Sequence, residues 1–168
     1  MKKVILSFAV AALALGANAQ SAEKSFQVTA GIKAALPIGD MGEVTSFGIG
    51  AQVGAEKMFS DNFSGVASVD YTYFIGKGEK GEDKVNYSMM PVLVGVRYYA
   101  APSFFIGAKA GLGVFTAKVA GFSASSTGFA YEPQIGFNSE KIQITLNYTT
   151  ISNQGSVSAI GLGAAYKF

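Results

Sequence analysis

"IQITLNYTT", residues 142–150, alternates with a period of two. Ile142, Ile144, Leu146 and Tyr148 fall on one face, and Gln143, Thr145, Asn147 and Thr149 on the other. Successive side chains of a strand point to opposite sides, so this stretch reads as a strand with one apolar and one polar face. The same phase recurs at Phe26, Val28, Ala30, Ile32, Ala34 and Leu36, set against Gln27, Thr29, Gly31, Lys33 and Ala35. Followed along the chain it gives eight strands, at 26–36, 46–59, 63–76, 85–99, 103–117, 127–137, 142–150 and 157–168. Most are longer than the usual strand of about 5–6 residues. They fit the ~9–11 residues that a tilted strand needs to cross a bilayer.

The links between them alternate in length. "SDN" (60–62), "AAP" (100–102) and "NSEK" (138–141) are tight. "PIGDMGEVT" (37–45), "KGEKGEDK" (77–84), "KVAGFSASS" (118–126) and "ISNQGS" (151–156) are longer and more polar. Short turns on one side and longer links on the other belong to an up-and-down barrel in an outer membrane. The expected fold is therefore all-β: an eight-stranded antiparallel up-and-down transmembrane β-barrel.

Composition supports the phase of that barrel. Charged residues are 14% of the chain, against roughly 25% in an ordinary soluble domain. Six of those on the strands share the polar phase: Lys33, Glu56, Asp70, Arg97, Lys109 and Glu132, three of each sign. A cation facing lipid at mid-bilayer costs about 2–4 kcal/mol, so this phase should face the lumen and form a paired network there. The same phase is rich in glycine, which relieves crowding inside a barrel this narrow. Aromatic residues gather near the strand ends. Phe26, Phe59, Phe63, Tyr98, Phe104, Phe137, Tyr166 and Phe168 lie toward the tight turns, and Tyr73, Tyr87 and Tyr148 toward the other end, as two interfacial girdles.

Residues 1–19, "MKKVILSFAVAALALGANA", have a basic start, an apolar run and the small pair Ala17 and Ala19. That is a secretory signal with its cleavage site, leaving residues 20–168 as the barrel domain. The apolar run is too short to span a membrane, which takes about 20 residues. Loss of Lys2 and Lys3 lowers Lys+Arg from 13 to 11, equal to the 11 Asp+Glu. No basic stripe remains for nucleic acid.

The chain has no His and no Cys, which excludes His-dependent nucleophilic catalysis and thiolate or imidazole metal sites. Asp70 and Glu132 fit ion pairing better than acid–base work. "GIGAQVG" and "GAKAGLG" lie inside strands with no helix after them, so they are not phosphate loops. No catalytic residue, metal or cofactor is expected.

"GLGAAYKF", Gly161–Phe168, ends the chain inside a strand. Ile160, Leu162, Ala164, Tyr166 and Phe168 share the lipid phase. Such an ending resembles the C-terminal assembly signal of bacterial outer-membrane proteins. The chain as a whole resembles the small outer-membrane β-barrel superfamily, which includes the membrane domain of outer-membrane protein A, the outer-membrane protein X type and the opacity adhesins. The resemblance implies an outer-membrane location, lipid around the barrel, and recognition of Tyr166 and Phe168 by the barrel-assembly machinery. The periplasmic peptidoglycan-binding domain of outer-membrane protein A is not expected in this chain, a departure from that member.

Three functional readings follow from these observations. The first is a structural or surface-interaction barrel, with a lumen closed by its charges and a surface ligand held by the outside links. The second is a narrow pore for small solutes. The third is a soluble secreted barrel binding an apolar ligand. Processing after Ala19 should leave Gln20 as the first residue of the mature protein, which intact-mass measurement checks. A retained Met1 would contradict the export reading.

Overall fold

The computed structural model describes residues 26–77, 85–119, 122–153 and 155–168. The signal residues with Ala17 and Ala19, and most of the link at 77–84, lie outside the described residues. The strands are β1 (Phe26–Ile38), β2 (Thr45–Met58), β3 (Phe63–Gly76), β4 (Asn86–Ala101), β5 (Phe104–Val119), β6 (Phe122–Asn138), β7 (Ile142–Ser152) and β8 (Ser156–Lys167). A one-turn helix, α1 (Asp40–Val44), sits between β1 and β2.

Each strand pairs antiparallel with the next, and β1 pairs β8 from Thr29↔Lys167 to Ile38↔Ser158, so the sheet closes into a barrel. Closure removes every free edge within the wall, the condition for strands to cross a membrane. The C-terminus is held on both sides. The Lys167 amide donates to the Lys141 carbonyl at 2.9 Å, and the Phe168 amide donates to the Val28 carbonyl at 3.0 Å. Tyr166 and Phe168 lie outside, with their rings edge-on at 5.1 Å.

The outward phase is a belt of exposed apolar side chains, among them Ile32, Leu36, Val94, Leu112, Ile144 and Leu162. All eight aromatics expected near the tight turns are exposed. At the other end Phe129, Tyr131 and Tyr148 are neighbours on the outside, with successive ring centroids 6.4 and 6.5 Å apart.

Three expectations are corrected, the first of them at two links. "ISNQGS" is a tight turn, since β7 runs to Ser152 and β8 begins at Ser156, and these two residues are paired. "KVAGFSASS" is largely strand rather than link: β5 continues to Val119 and β6 begins at Phe122, paired Val119↔Phe122 and Ala117↔Ala124. Among the described residues β7 meets β6 from Phe129 to Asn138, so Phe122–Gly128 stand beyond the β7 partner. The strand was hidden because that segment is exposed on both faces and carries no alternation. Second, "PIGDMGEVT" contains α1. Met41 turns inward and the Thr45 hydroxyl donates to the Met41 carbonyl at 2.7 Å, which folds the link over the barrel end. Third, Tyr87 does not belong to the girdle. It packs inside against the Phe115 ring at 5.5 Å, nearly parallel.

Val94 and Phe122 are both open to their surroundings, at 64% and 80% exposure. Val94 lies mid-wall, paired with Ala67 and Ala110, whereas Phe122 lies at the tip of the β5–β6 hairpin. Val94→Lys should cost about 2–4 kcal/mol in a bilayer, and Phe122→Lys less than about 1 kcal/mol. Equilibrium unfolding of both variants in lipid vesicles checks this. Equal costs would contradict the placement of the hairpin outside the hydrocarbon.

Candidate functional site

The inner face is built from the odd positions of β1 and the even positions of β2 and β3, with matching sets on the remaining strands. It carries the six charges expected there, Lys33, Glu56, Asp70, Arg97, Lys109 and Glu132, and each of them has an ionic partner. Lys33 Nζ lies 3.3 Å from Asp70 Oδ2 and 3.2 Å from Glu132 Oε2. Lys109 Nζ lies 2.7 Å from Glu132 Oε1. Arg97 Nη1 lies 2.7 Å from Glu56 Oε2. Two clusters result, one with two cations and two anions, the other with one of each, and both are neutral.

Neutral partners complete the clusters. The Thr149 hydroxyl donates to Glu132 at 2.6 Å, and Lys109 donates to the Ser68 hydroxyl at 2.8 Å. The Glu56 carboxylate accepts from Ser64 at 2.5 Å and Tyr99 at 2.6 Å. Arg97 also donates to Gln134 at 3.1 Å, and its guanidinium lies 4.3 Å from the centre of the Phe105 ring. The reach of Lys33 depends on β8. A Cβ on Gly161 would crowd Lys33 Cε and the Asn147 amide, so glycine there leaves both side chains in place as the lysine crosses the lumen.

Asp70 and Glu132 both hold Lys33, an arrangement of ion pairs and not an acid facing a base. Among the described residues no group of three or more acidic side chains could hold a metal ion. A cavity of about 30 Å³ remains beside the clusters, lined in part by Gln134, Gln143, Thr145 and Asn147. Gln134 Nε2, Gln143 Nε2, Thr145 Oγ1 and Asn147 Oδ1 have no hydrogen-bond partner among the described residues. Polar groups around a space of that size suit one or two ordered waters.

The sequence reading missed a second layer. Toward the end with the longer links, the lumen is filled by Phe74, Met89, Leu93, Ile151, Ala35, Ala130 and Ala159, with Met41 from α1 above them. Tyr87, Phe115 and Val157 pack against this cluster. Large side chains face small ones: a Cβ on Gly48 would meet the Phe74 ring, and one on Gly113 would meet Ile151. The signal was available, since Phe74, Leu93 and Ile151 fall on the inner phase, all in the upper parts of their strands. It was masked where neighbours on both phases are apolar, as in "MMPVLV", residues 89–94.

This wall, closed at eight strands with an apolar outside and a filled inside, agrees with a sequence comparison. The model of the outer membrane protein β-barrel domain matches residues 5–168. The chain belongs to that family. Its place is the bacterial outer membrane, so the tight turns mark the periplasmic end and the longer links the outer mouth. Among solved structures it is similar to Ail, the attachment invasion locus protein of Yersinia pestis. That chain, in complex with the heparin analogue sucrose octasulfate, shows 18% identity and a TM-score of 0.68, with 86% of this chain and 98% of the other covered. Neisserial surface protein A shows 16% identity and a TM-score of 0.54, with 85% and 97% covered. At these identities the likeness is one of fold. No curated protein matches the sequence.

Glu132 is fully buried between two lysines. Removing one member of a buried pair strands the other charge, at a cost of about 3–5 kcal/mol. Glu132→Gln should lose that much in equilibrium unfolding in lipid. Adding Lys109→Gln should recover part of it, because Lys33 and Asp70 then balance each other. A double variant no more stable than the single one would contradict the pairing.

Proposed function

We propose that the barrel is a closed structural and surface-interaction protein, acting through its outer end without catalysis and without conducting solutes. The observation that carries this reading is the stacking of two different fillings in one lumen. A solute entering from the periplasm meets paired charges bridged across the interior. One entering from outside meets Met41 and the apolar layer beneath it. An aqueous path needs a wider wall, around 16–18 strands in porins.

The outer end has the features of a contact surface. The β5–β6 hairpin rises beyond β7, and the outer part of β6 offers Ser123, Ser125, Ser126 and Thr127 beside the exposed ring of Phe122. Asn153 braces its base, donating to Ser126 Oγ at 2.9 Å and to the Thr127 carbonyl at 2.7 Å. Among the described residues the mouth carries Asp40 and Glu43 on α1 against Lys77 and Lys118, so it offers no cationic cluster for a polyanion such as the one bound to Ail. Uncharged surfaces suit it better. The small cavity among the lumen charges supports the narrow pore as a second reading.

Recordings from the purified protein in planar bilayers separate the two. The closed reading predicts no steady openings in the wild type. It also predicts little change in Glu132→Ala alone, because the apolar layer still blocks the path. Steady openings in the wild type would establish the pore.

A further inference from the structure

Above the apolar layer the outer mouth holds a cavity of about 410 Å³, within the range of small-molecule sites. It is an open cleft lined by three parts of the fold: α1 with Asp40, Met41 and Val44, the β5–β6 hairpin with Phe115 and Ser126, and the β7–β8 turn with Asn153, Ser156 and Val157. Tyr87 and Ile151 line it from β4 and β7. Its inner surface is therefore apolar and partly aromatic, while its rim is polar. Tyr87 and Phe115 stack at 17° between planes and give a flat ring a parallel partner.

The polar groups at the rim are largely spent on one another. Asn153 is bound to Ser126 and Thr127, and the Ser156 hydroxyl lies 3.3 Å from that of Ser152. The exception is Asp40, the one charged residue among those described in the lining, which is exposed at the first turn of α1. The described cations near the mouth do not neutralise it from inside. Lys77 Nζ donates to the Gly42 carbonyl at 2.7 Å, and Lys118 lies on the outward phase of β5. The cavity is thus an apolar, ring-lined chamber with one anionic group at its entrance.

We infer that this chamber is a binding site for small aromatic amines. The flat apolar body enters between Met41, Tyr87, Phe115 and Val157, and the ammonium stays at the rim beside Asp40. An ammonium near aromatic faces also gains from their negative π-clouds. A carboxylate in the same position would be repelled by Asp40, and a ligand with no charge would lose that contact. The inference gives the surface-interaction reading a small-molecule ligand and stands without it, since nothing in the chamber depends on a closed lumen.

The test uses the mature protein in lipid nanodiscs, labelled with ¹³C at the methionine methyl groups and titrated with tryptamine. Met41 lines the chamber, Met90 faces lipid on β4, and Met58 lies at the periplasmic end of β2. The expected result is a saturable shift of the Met41 methyl, with Met58 and Met90 nearly still. Asp40→Asn should weaken binding about threefold to fivefold, the scale of an exposed ion pair. Ser126→Trp, a change on an exposed strand that fills the entrance, should abolish it. Indole-3-propionate, the matched anion, should bind at least as weakly as tryptamine binds to Asp40→Asn. The inference is overturned if Met41 shows no saturable shift, if Met90 moves with it as membrane partition requires, or if the anion binds as well as the amine. The planar-bilayer result has no bearing on any of these readings, so the two proposals fail separately.

Discussion

Glu132 holds Lys33 on one side and Lys109 on the other while lying completely out of solvent. The rest of the interior is arranged around the demand this makes. Eight strands enclose a space so narrow that a charge placed inside has little water to fall back on. Each inward cation therefore needs an anion, from the neighbouring strand for Lys109 and Glu132 and from a non-adjacent strand for Lys33 and Arg97, and each pair needs hydroxyl or amide partners for its remaining lone pairs and protons. β1, β3, β5, β6 and β7 meet in one such cluster, and β2, β3, β4 and β6 in the other. β8 takes part by supplying glycine, which lets Lys33 pass. The pairs thus fix which strands face each other as well as satisfying charge.

The outer half of the lumen solves the same filling problem differently. Phe74, Leu93, Met89 and Ile151 occupy it, opposed by Gly48, Gly113, Ala35, Ala130 and Ala159. Among the described residues no charge enters this layer. The order is physically sensible: the apolar layer separates the ionic clusters from the outside medium and lowers the local dielectric constant, which strengthens each pair below. It also forms the base on which α1 rests through Met41, so the mouth inherits its shape from the packing beneath it.

Much of the fold was legible in the sequence, because a two-sided strand writes its faces into alternate residues. Ile142–Thr150 shows this plainly, and the six charges declared the inner phase since none of them fits lipid. What the sequence hid shares one physical cause, the absence of contrast between faces. Phe122–Thr127 stands clear of the membrane with both faces wet, so nothing alternates. Residues 89–94 have apolar partners on both faces, lipid outside and the inner layer inside, so again nothing alternates. The single turn Asp40–Val44 is too short for a helical period to register, and only the fold reveals that Met41 points inward. Tyr87 shows the limit of assigning aromatics by height alone, since its phase and not its level along the strand carries it into the lumen.

The central claim is a lumen with a wet polar lower half and a dry apolar upper half. Magnetisation transfer from water to side chains, measured by NMR in lipid nanodiscs, tests it most directly. The account predicts contacts with long-lived water at the side-chain amides of Gln134, Gln143 and Asn147. It predicts none at the methyl groups of Met89, Leu93 and Ile151. Water contacts continuing through those methyl groups to the mouth would contradict it, because the lumen would then hold an unbroken aqueous path.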